Sequence, residues 1–557
     1  MKPRGRKRRI DVPGGFAAFA LIFSALFLTH ATLLRLPYFW DEAGYFIPAA
    51  RDLLQTGSLI PHSTLSNAHP PLLMLWLAFW WKFSAFTPAV TRIAMLLVAT
   101  FTLAGVWRLA RRIANTPVAL ATVICTALYP VFFAQSSLAQ LDMLAAAFTI
   151  WGLAMYVERR MMAALLFFAL APVAKETALI APVALMVWKL VCKLVWKETG
   201  APLGPAFPGW GFFRKHRGSL APSINTPTPA KEAGVGHAAL IWLVCAVPLV
   251  CWLVYHRHRT GYFFGNPEYL RYNVGATLSP LRFVLASLMR LWQLLGYLNM
   301  FVLTLGAAVA MFLPPLRERD GSERPRIDVN VQLVFAVLIA AYVIAFSMIG
   351  GAVLARYLMP VYPLVILLCV STLRRRVRLW PWCIAGVCAL FVFVLCIPPP
   401  YRVSPEDTLL YRDYVLVHKT AADELSQRFP NRRILTAWPA SDELTRPYLG
   451  YVGKPMQVVR IENFSDFEML RASRATEQFD VVLLFSTKWE PPHPLLSSLP
   501  FGRALHERFF DYHEDMDPQR AAALLGGRIL DYQNRNNEWM AIISIERIEN
   551  ARVRENN

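Results

Sequence analysis

The residues 35–46, RLPYFWDEAGYF, place two neighbouring carboxylates, Asp41 and Glu42, in an aromatic setting directly after the first long apolar run. Charge at the edge of a membrane is costly, so an ionisable group kept there is a functional candidate by default. Four further polar groups punctuate other apolar runs: His69 in NAHPPLL, Asp142 in SLAQLDML, Lys175 and Glu176 in PVAKETAL, and Arg356 and Tyr357 in LARYLMP. Tyr45 stands four residues beyond Asp41. Carboxylates in such a set are candidate proton acceptors, and partial desolvation would make them better bases. Lysine and arginine beside them suit an anionic group whose charge grows during reaction. Plainer roles compete at each position. Asp142 and the Asp41–Glu42 pair could cap helices, Lys175–Glu176 could be a loop ion pair, Arg356 could anchor at the interface, and His69 could lead into a helix. What separates the readings is whether these residues converge.

The elements that must position them are membrane helices. The chain has 557 residues, 56% of them hydrophobic and 13% aromatic, and many apolar runs approach the roughly 20 residues needed to cross a bilayer. They lie near 14–36, 70–86, 89–107, 117–134, 140–157, 161–174, 177–196, 237–255, 283–313, 331–353, 357–373 and 380–397. The first run is too long for a signal-peptide core and lacks a small-x-small cleavage site, so it reads as a retained span. The net charge of +20 comes largely from short basic clusters between these runs, such as residues 1–9, RLARR at 108–112 and RRRVR at 374–378. That is the pattern of cytoplasmic loops, and it disfavours nucleic-acid binding. All eight cysteines fall inside apolar segments and read as packing residues.

With a cytoplasmic N-terminus, treating 70–86 as a juxtamembrane or re-entrant helix puts RLARR, the insertion 200–236, residues 316–326 and RRRVR all inside. Treating it as a full span puts several of them outside. The first assignment predicts a polytopic α-helical membrane protein of about 11 transmembrane helices. Its outer loops fall near 37–88, 135–142, 174–177 and 256–282, and every chemistry-bearing residue above lies on that face. Within the run 283–313, which carries Arg290, the first half suits an interfacial helix. Loop 256–282 is basic yet outside, an exception that an anionic substrate would explain. The proline-rich stretch after Cys396 ends the membrane domain, 1–398. Residues 399–557 have soluble composition: RRILTAW, KPMQVVRI, FDVVLLF and EWMAIISIE read as strands, ADELSQRF and FSDFEMLRASRA as helices. A small α/β domain on the outer, periplasmic side is expected.

The ordered set WDE, HPPL, RRIAN, YP and LD, over residues 14–375, resembles the GT-C glycosyltransferases. More closely it resembles the bacterial branch of the dolichyl-phosphate-mannose protein mannosyltransferases, which includes lipid A aminoarabinose transferases. The resemblance implies inverting transfer of a sugar from a polyprenyl-phosphate donor to an acceptor hydroxyl outside the inner membrane. It maps the essential acid to Asp41 with Glu42 as partner, and a second acid to Asp142. Two positions depart from the pattern: Gly44 stands where many relatives have a basic residue, and His69 where some have lysine. Lys175 and Arg356 are the candidate cations for the leaving phosphate, with His69 and loop 256–282 in reserve. His69, Lys175, Glu176, Arg356, Tyr357 and Tyr45 form the expected substrate-binding set. The aromatic run 70–86 suits a wall beside the lipid chain. No cofactor is expected, and a divalent metal is compatible but not indicated. The acceptor (protein, lipid or glycan) is open. A flippase for lipid-linked sugars and a polysaccharide ligase or polymerase are the alternatives.

Overall fold

The computed structural model describes residues 12–199, 241–267, 279–492, 505, 507–510 and 512–545. The basic stretch 1–9, the insertion 200–236 and Arg271 of loop 256–282 lie outside them. Among the described residues six helices are long and apolar enough to cross a membrane, within Gly15–Leu33, Pro88–Ile113, Glu176–Leu194, Ile241–Thr260, Pro280–Ala310 and Val329–Met348. Shorter apolar helices stand among them at Leu72–Phe83, Thr116–Leu128, Leu141–Val157, Met161–Ala174 and Trp380–Cys396. Their boundaries follow from local sequence. The Thr87 side chain accepts from Val90 N at the start of one helix, and Asn115 accepts from Val118 N at the start of the next. Proline occupies the first turn of both, where its missing N–H costs nothing. Arg111–Arg112 and Arg374–Arg376 fall in last turns, where cations meet the negative end of the helix dipole.

The Leu72–Phe83 helix has 12 residues. At 1.5 Å per residue it rises about 18 Å, short of the roughly 30 Å hydrocarbon core. It begins after Pro70–Pro71, and Thr116–Leu128 and Met161–Ala174 are of similar length. The run 283–313 is two helices, Pro280–Leu295 and Met300–Ala310, parted by a turn in which Leu298 and Asn299 take positive φ. Arg282 and Arg290 of the first helix are buried. The Arg282 guanidinium donates to the carbonyls of Ile349, Gly351 and Phe509, and Arg290 donates to that of Leu354. Gln293 donates to Val353 O. These side chains thus fix the 349–354 loop, which leads into the short turn Ala355–Leu358.

In the C-terminal region a five-stranded sheet has the order β2-β1-β3-β5-β4, with β1 Arg433–Ala437, β2 Gln457–Ile461, β3 Val481–Phe485, β4 Gly527–Arg535 and β5 Glu538–Ile545. β1 pairs in parallel with β2 and β3, while β5 runs antiparallel to both β3 and β4. The uninterrupted VVLLF of β3 is buried at every position, as a central strand must be. β4 escapes a reading by alternation because its polar residues are only half covered at the sheet edge. Asn536 and Asn537, both at positive φ, close the tight β4–β5 hairpin, a conformation asparagine tolerates. The Leu410–Arg428 helix covers the sheet with Tyr414, Val415, His418 and Leu425.

This region is bolted to the stretch between the first two helices. Tyr38 N donates to Leu449 O at 3.2 Å, and the Tyr451 hydroxyl donates to Tyr38 O at 3.1 Å. Phe39 meets Tyr414 edge-on at 5.3 Å between ring centroids, and Trp40 meets Trp438 edge-on at 5.1 Å. The α/β region is therefore packed directly against RLPYFWDEAGYF.

Candidate functional site

The acids converge on one arginine. Arg356, in the Ala355–Leu358 turn, donates through Nη2 to Asp41 Oδ2 at 2.6 Å and through Nη1 to Glu406 Oε2 at 2.6 Å. Its Nε lies 3.5 Å from Asp142 Oδ2. Asp142 in turn accepts from Lys175 Nζ at 2.6 Å. Five segments far apart in sequence meet at this point: the end of the first helical stretch, the first turn of Leu141–Val157, the break after Met161–Ala174, the Arg356 turn and the Pro405–Asp407 turn. Arg356 is held charged, well above even its ordinary range: burial works against the cation, but Glu406, Asp41 and its other anionic neighbours outweigh it.

Asp41 heads a turn of π-helix, Glu42–Phe46, and makes no capping hydrogen bond. Such turns inside helices recur at functional sites. Its carboxylate turns to Arg356 instead, and its side chain is 32% exposed, against 5% for Asp142 and 6% for Arg356. Asp41 is thus the carboxylate of the cluster that solvent or substrate can reach. Asp142 is the second residue of its helix rather than the cap, which is Gln140. Lys175 points to Asp142 and lies 3.9 Å from the centre of the Tyr357 ring. Arg356 and Arg290 flank the same ring at 5.7 and 5.4 Å, so three cations surround Tyr357.

Glu42 goes elsewhere. It is fully buried and pairs with Arg92, while accepting from Phe39 N at 2.9 Å and Ala139 N at 2.5 Å. Arg92 also donates to Ser137 O and Pro37 O. The Glu42–Arg92 pair therefore pins the Asp41 turn to the Pro88–Ile113 helix and to the 136–140 loop. Its place in the structure is as a positioning group behind Asp41.

His69 Nδ1 lies 3.3 Å from Glu176 Oε2, so Glu176 faces His69 and Lys175 faces Asp142. Tyr45 stacks its edge on His69 at 5.8 Å. Burial pushes the Tyr45 hydroxyl up to about 12, which keeps it a proton donor. His69, Glu176 and Tyr45 thus make a second group, linked to the first through the neighbours Lys175 and Glu176 and through the short stretch from Asp41 to Tyr45. Gly44 is explained by packing: a Cβ there would stand 2.7 Å from the Trp438 indole, so no side chain fits while the C-terminal region is docked.

Three residues that the sequence reading passed over belong here. Glu406 and Asp407 follow the last apolar helix in a short turn, Pro405–Asp407, and both are buried. Burial pushes Glu406 up to about 8, and Asp407, Asp41 and Asp142 add to this against the pull of Arg356. Asp407 accepts from the Tyr297 hydroxyl at 2.8 Å, and burial pushes it up to about 7. The available signal was symmetry: an acidic pair follows the last apolar run just as Asp41–Glu42 follows the first. Arg92, a lone cation within an apolar run, carried its own signal.

Among the described residues no group of three or more His, Cys, Asp or Glu side chains is placed to hold a metal ion. A separate open pocket of about 380 Å³, lined by residues such as Lys488, Glu490, Tyr512 and Trp539, lies in the C-terminal region and includes none of the clustered acids.

Residues 68–204 match the family model of the dolichyl-phosphate-mannose-protein mannosyltransferases. No curated protein matches at a comparable level. Among solved structures, ArnT from Cupriavidus metallidurans in the apo state is 15% identical, with 96% of this chain and 98% of that one covered and a TM-score of 0.50. ArnT from the same organism bound to undecaprenyl phosphate gives 14% identity, the same coverage and a TM-score of 0.48. The oligosaccharyltransferase of Archaeoglobus fulgidus, in complex with Zn and sulfate, gives 12% identity over 84% of this chain and 67% of that one, with a TM-score of 0.41. The resemblance to GT-C glycosyltransferases read from the motifs stands: the chain is a membrane protein that shares the ArnT fold and, over residues 68–204, the sequence pattern of the dolichyl-phosphate-mannose-protein mannosyltransferases.

Proposed function

We propose that this protein is an inverting glycosyltransferase that moves a sugar from a polyprenyl-phosphate donor to an acceptor hydroxyl on the outer face of the bacterial inner membrane. The observation that carries this reading is the Asp41–Arg356–Asp142–Lys175 cluster, in which one reachable carboxylate is oriented by buried cations. A hydroxyl is a weak nucleophile near neutral pH. Asp41 accepts its proton as the oxygen attacks the anomeric carbon, and the bond from that carbon to the lipid phosphate breaks on the opposite side. Charge then grows on the phosphate, and Lys175 and Arg356 supply the opposing charge without rearrangement. Asp142 holds Lys175 in place between the Asp142 carboxylate and the Tyr357 ring. His69, Glu176 and Tyr45, the rest of the expected substrate-binding set, form a second group beside this cluster. In this reading positive charge comes from side chains and no metal takes part. The undecaprenyl phosphate in the ArnT complex supports a polyprenyl phosphate as the lipid partner.

The orientation proposed is a cytoplasmic N-terminus with residues 399–557 in the periplasm. Pairing within the protein supports it. Arg374 and Arg375 meet Glu318 and Glu323 of the 316–326 loop, and Arg108 meets Glu158, so segments assigned to the inner face associate with one another. Segments assigned to the outer face meet at Arg356.

The test is transfer of a radiolabelled sugar from synthetic polyprenyl-phosphate donors by the purified full-length protein in detergent. Release of polyprenyl phosphate by wild type, with a loss of about 100-fold or more in Asp41→Asn, is the expected result. Undiminished release by Asp41→Asn overturns the assignment of the base. Release of a lipid diphosphate instead would indicate a polymerase or ligase.

A further inference from the structure

The cation best placed for a donor phosphate is already occupied. Both Nη atoms of Arg356 are engaged, one by Asp41 and one by Glu406, at 2.6 Å each. Glu406 does not come from the segments that carry the other acids. It comes from the turn that opens the C-terminal region, and that turn is fixed: Gln135 Nε2 donates to Glu406 O at 3.1 Å, and Tyr297 anchors the neighbouring Asp407. The other carboxyl oxygen of Glu406, Oε1, is buried and has no partner. A buried carboxylate with an unpaired oxygen is expensive, whereas a carboxylic acid is not.

Charge decides what this means for a ligand. Lys175 and Arg356 bring two positive charges, matched by Asp41 and Asp142. An ionised Glu406 makes the cluster net negative and hostile to a phosphate; a neutral Glu406 makes it balanced and frees one face of Arg356. The groups facing Glu406 are Arg356 from the 355–358 turn, Asp41 from the first outer stretch, Asp142 from the Leu141–Val157 helix and its own neighbour Asp407. Behind Asp407 stand Tyr297 and Arg290. Three of the four nearest are acids, and an arriving phosphate adds another anion to the same arginine.

We propose that Glu406 is a proton-exchanging positioning residue: it holds Arg356 in the empty site and surrenders it, as the neutral acid, to the phosphate of an incoming lipid donor. The inference rests on the lipid-phosphate reading given above. The proton comes from solvent, no covalent bond other than the new O–H forms, and the Arg356–Glu406 contact is replaced by one from Arg356 to phosphate. With an empty-site value of about 8 for Glu406, and a higher one once an anion is bound, donor binding takes up a proton above that pH. The donor phosphate is a diester, singly ionised throughout this range, and the polyprenyl phosphate used as probe is a monoester whose second ionisation, near pH 6, is already complete. Affinity therefore falls as pH rises above about 8, towards about tenfold per unit, and is flat below.

The measurement is binding of a short-chain polyprenyl phosphate to the full-length protein in detergent between pH 7 and 10, for wild type and Glu406→Gln. Wild type is expected to weaken above pH 8, and Glu406→Gln to stay flat and to bind roughly tenfold more tightly than wild type near pH 9. A merely structural loss would weaken binding at every pH. Parallel pH dependences in the two proteins overturn the inference and leave the glycosyltransferase reading intact. If wild type binds no polyprenyl phosphate at any pH, the donor assignment falls and this inference with it. Should Glu406→Gln fail to fold, wild-type binding measured at pH 8.5 in two buffers of different ionisation heat decides the matter: uptake of up to about three quarters of a proton supports it, and none overturns it.

Discussion

Asp41 and Glu42 are neighbours in sequence with opposite fates, because a π-helical turn begins between them. Asp41 faces Arg356 and remains reachable, whereas Glu42 disappears behind the turn onto Arg92. Substitutions should separate the two. Asp41→Asn removes a charge from a partly exposed site and is expected to abolish transfer with little change in thermal unfolding. Arg92→Ala strands Glu42 as a buried, unpaired carboxylate, and breaking such a pair typically costs about 3–5 kcal/mol. Its expected outcome is a markedly lower unfolding temperature in detergent. Equal stability of Arg92→Ala and wild type would mean that the Glu42–Arg92 pair does not hold the turn in place. Lys175→Ala is expected to reduce transfer by about 10²-fold or more, since a preorganised charge beside the leaving group is lost.

At the level of elements, the C-terminal region is a part of the site's architecture. It delivers Glu406 to Arg356 and rests the Trp438 indole on Gly44. That contact leaves no room for a side chain at Gly44. Gly44→Ala would place a methyl group within 2.7 Å of the Trp438 ring. Overpacking of this kind costs about 1–3 kcal/mol. The destabilisation should be relieved when Trp438→Ala is added, a coupling that a double-mutant cycle of thermal unfolding reads directly. Simple additivity of the two changes would show that the indole yields without cost.

For the whole molecule, burial of carboxyl groups sets the response to pH. Glu538 of β5 is buried, accepts one hydrogen bond from Ser486 at 2.9 Å, and is pushed up to about 8 by burial, with Asp413 and Asp515 adding to the effect. A raised acid favours the folded state while it is protonated. That contribution is full below the ordinary glutamate value, falls as pH rises, and is gone above about 8. Glu538→Gln is therefore expected to stabilise the protein at pH 8–9, by about 1–3 kcal/mol, and to change little at pH 5. A stabilisation independent of pH would argue against titration of this group. Orientation is checked at the same scale by single cysteines in a cysteine-free background. A membrane-impermeant thiol reagent applied to spheroplasts should label a cysteine at 454 and not one at 319.

The sequence by itself determined what local chemistry and periodicity encode. Apolar run lengths marked the helices, the basic clusters singled out the short 70–86 segment, and the strands RILTA and VVLLF were legible because their burial is continuous. The residue types at Asp41, Asp142, Lys175 and Arg356 were legible too, since charge beside apolar runs demands a reason. Their partners were not. Whether Asp142 caps its helix or meets Lys175, and whether Glu42 faces the site or Arg92, depends on contacts between segments 33 to 50 residues apart. Arg356 reaches Asp41 across 315 residues, and no local pattern records that distance. Glu406 read as a linker residue because a proline-rich stop precedes it, yet tertiary packing buries it against the arginine that organises the site. Sequence fixes which groups are costly to bury; only the fold decides which opposite charge offsets the cost.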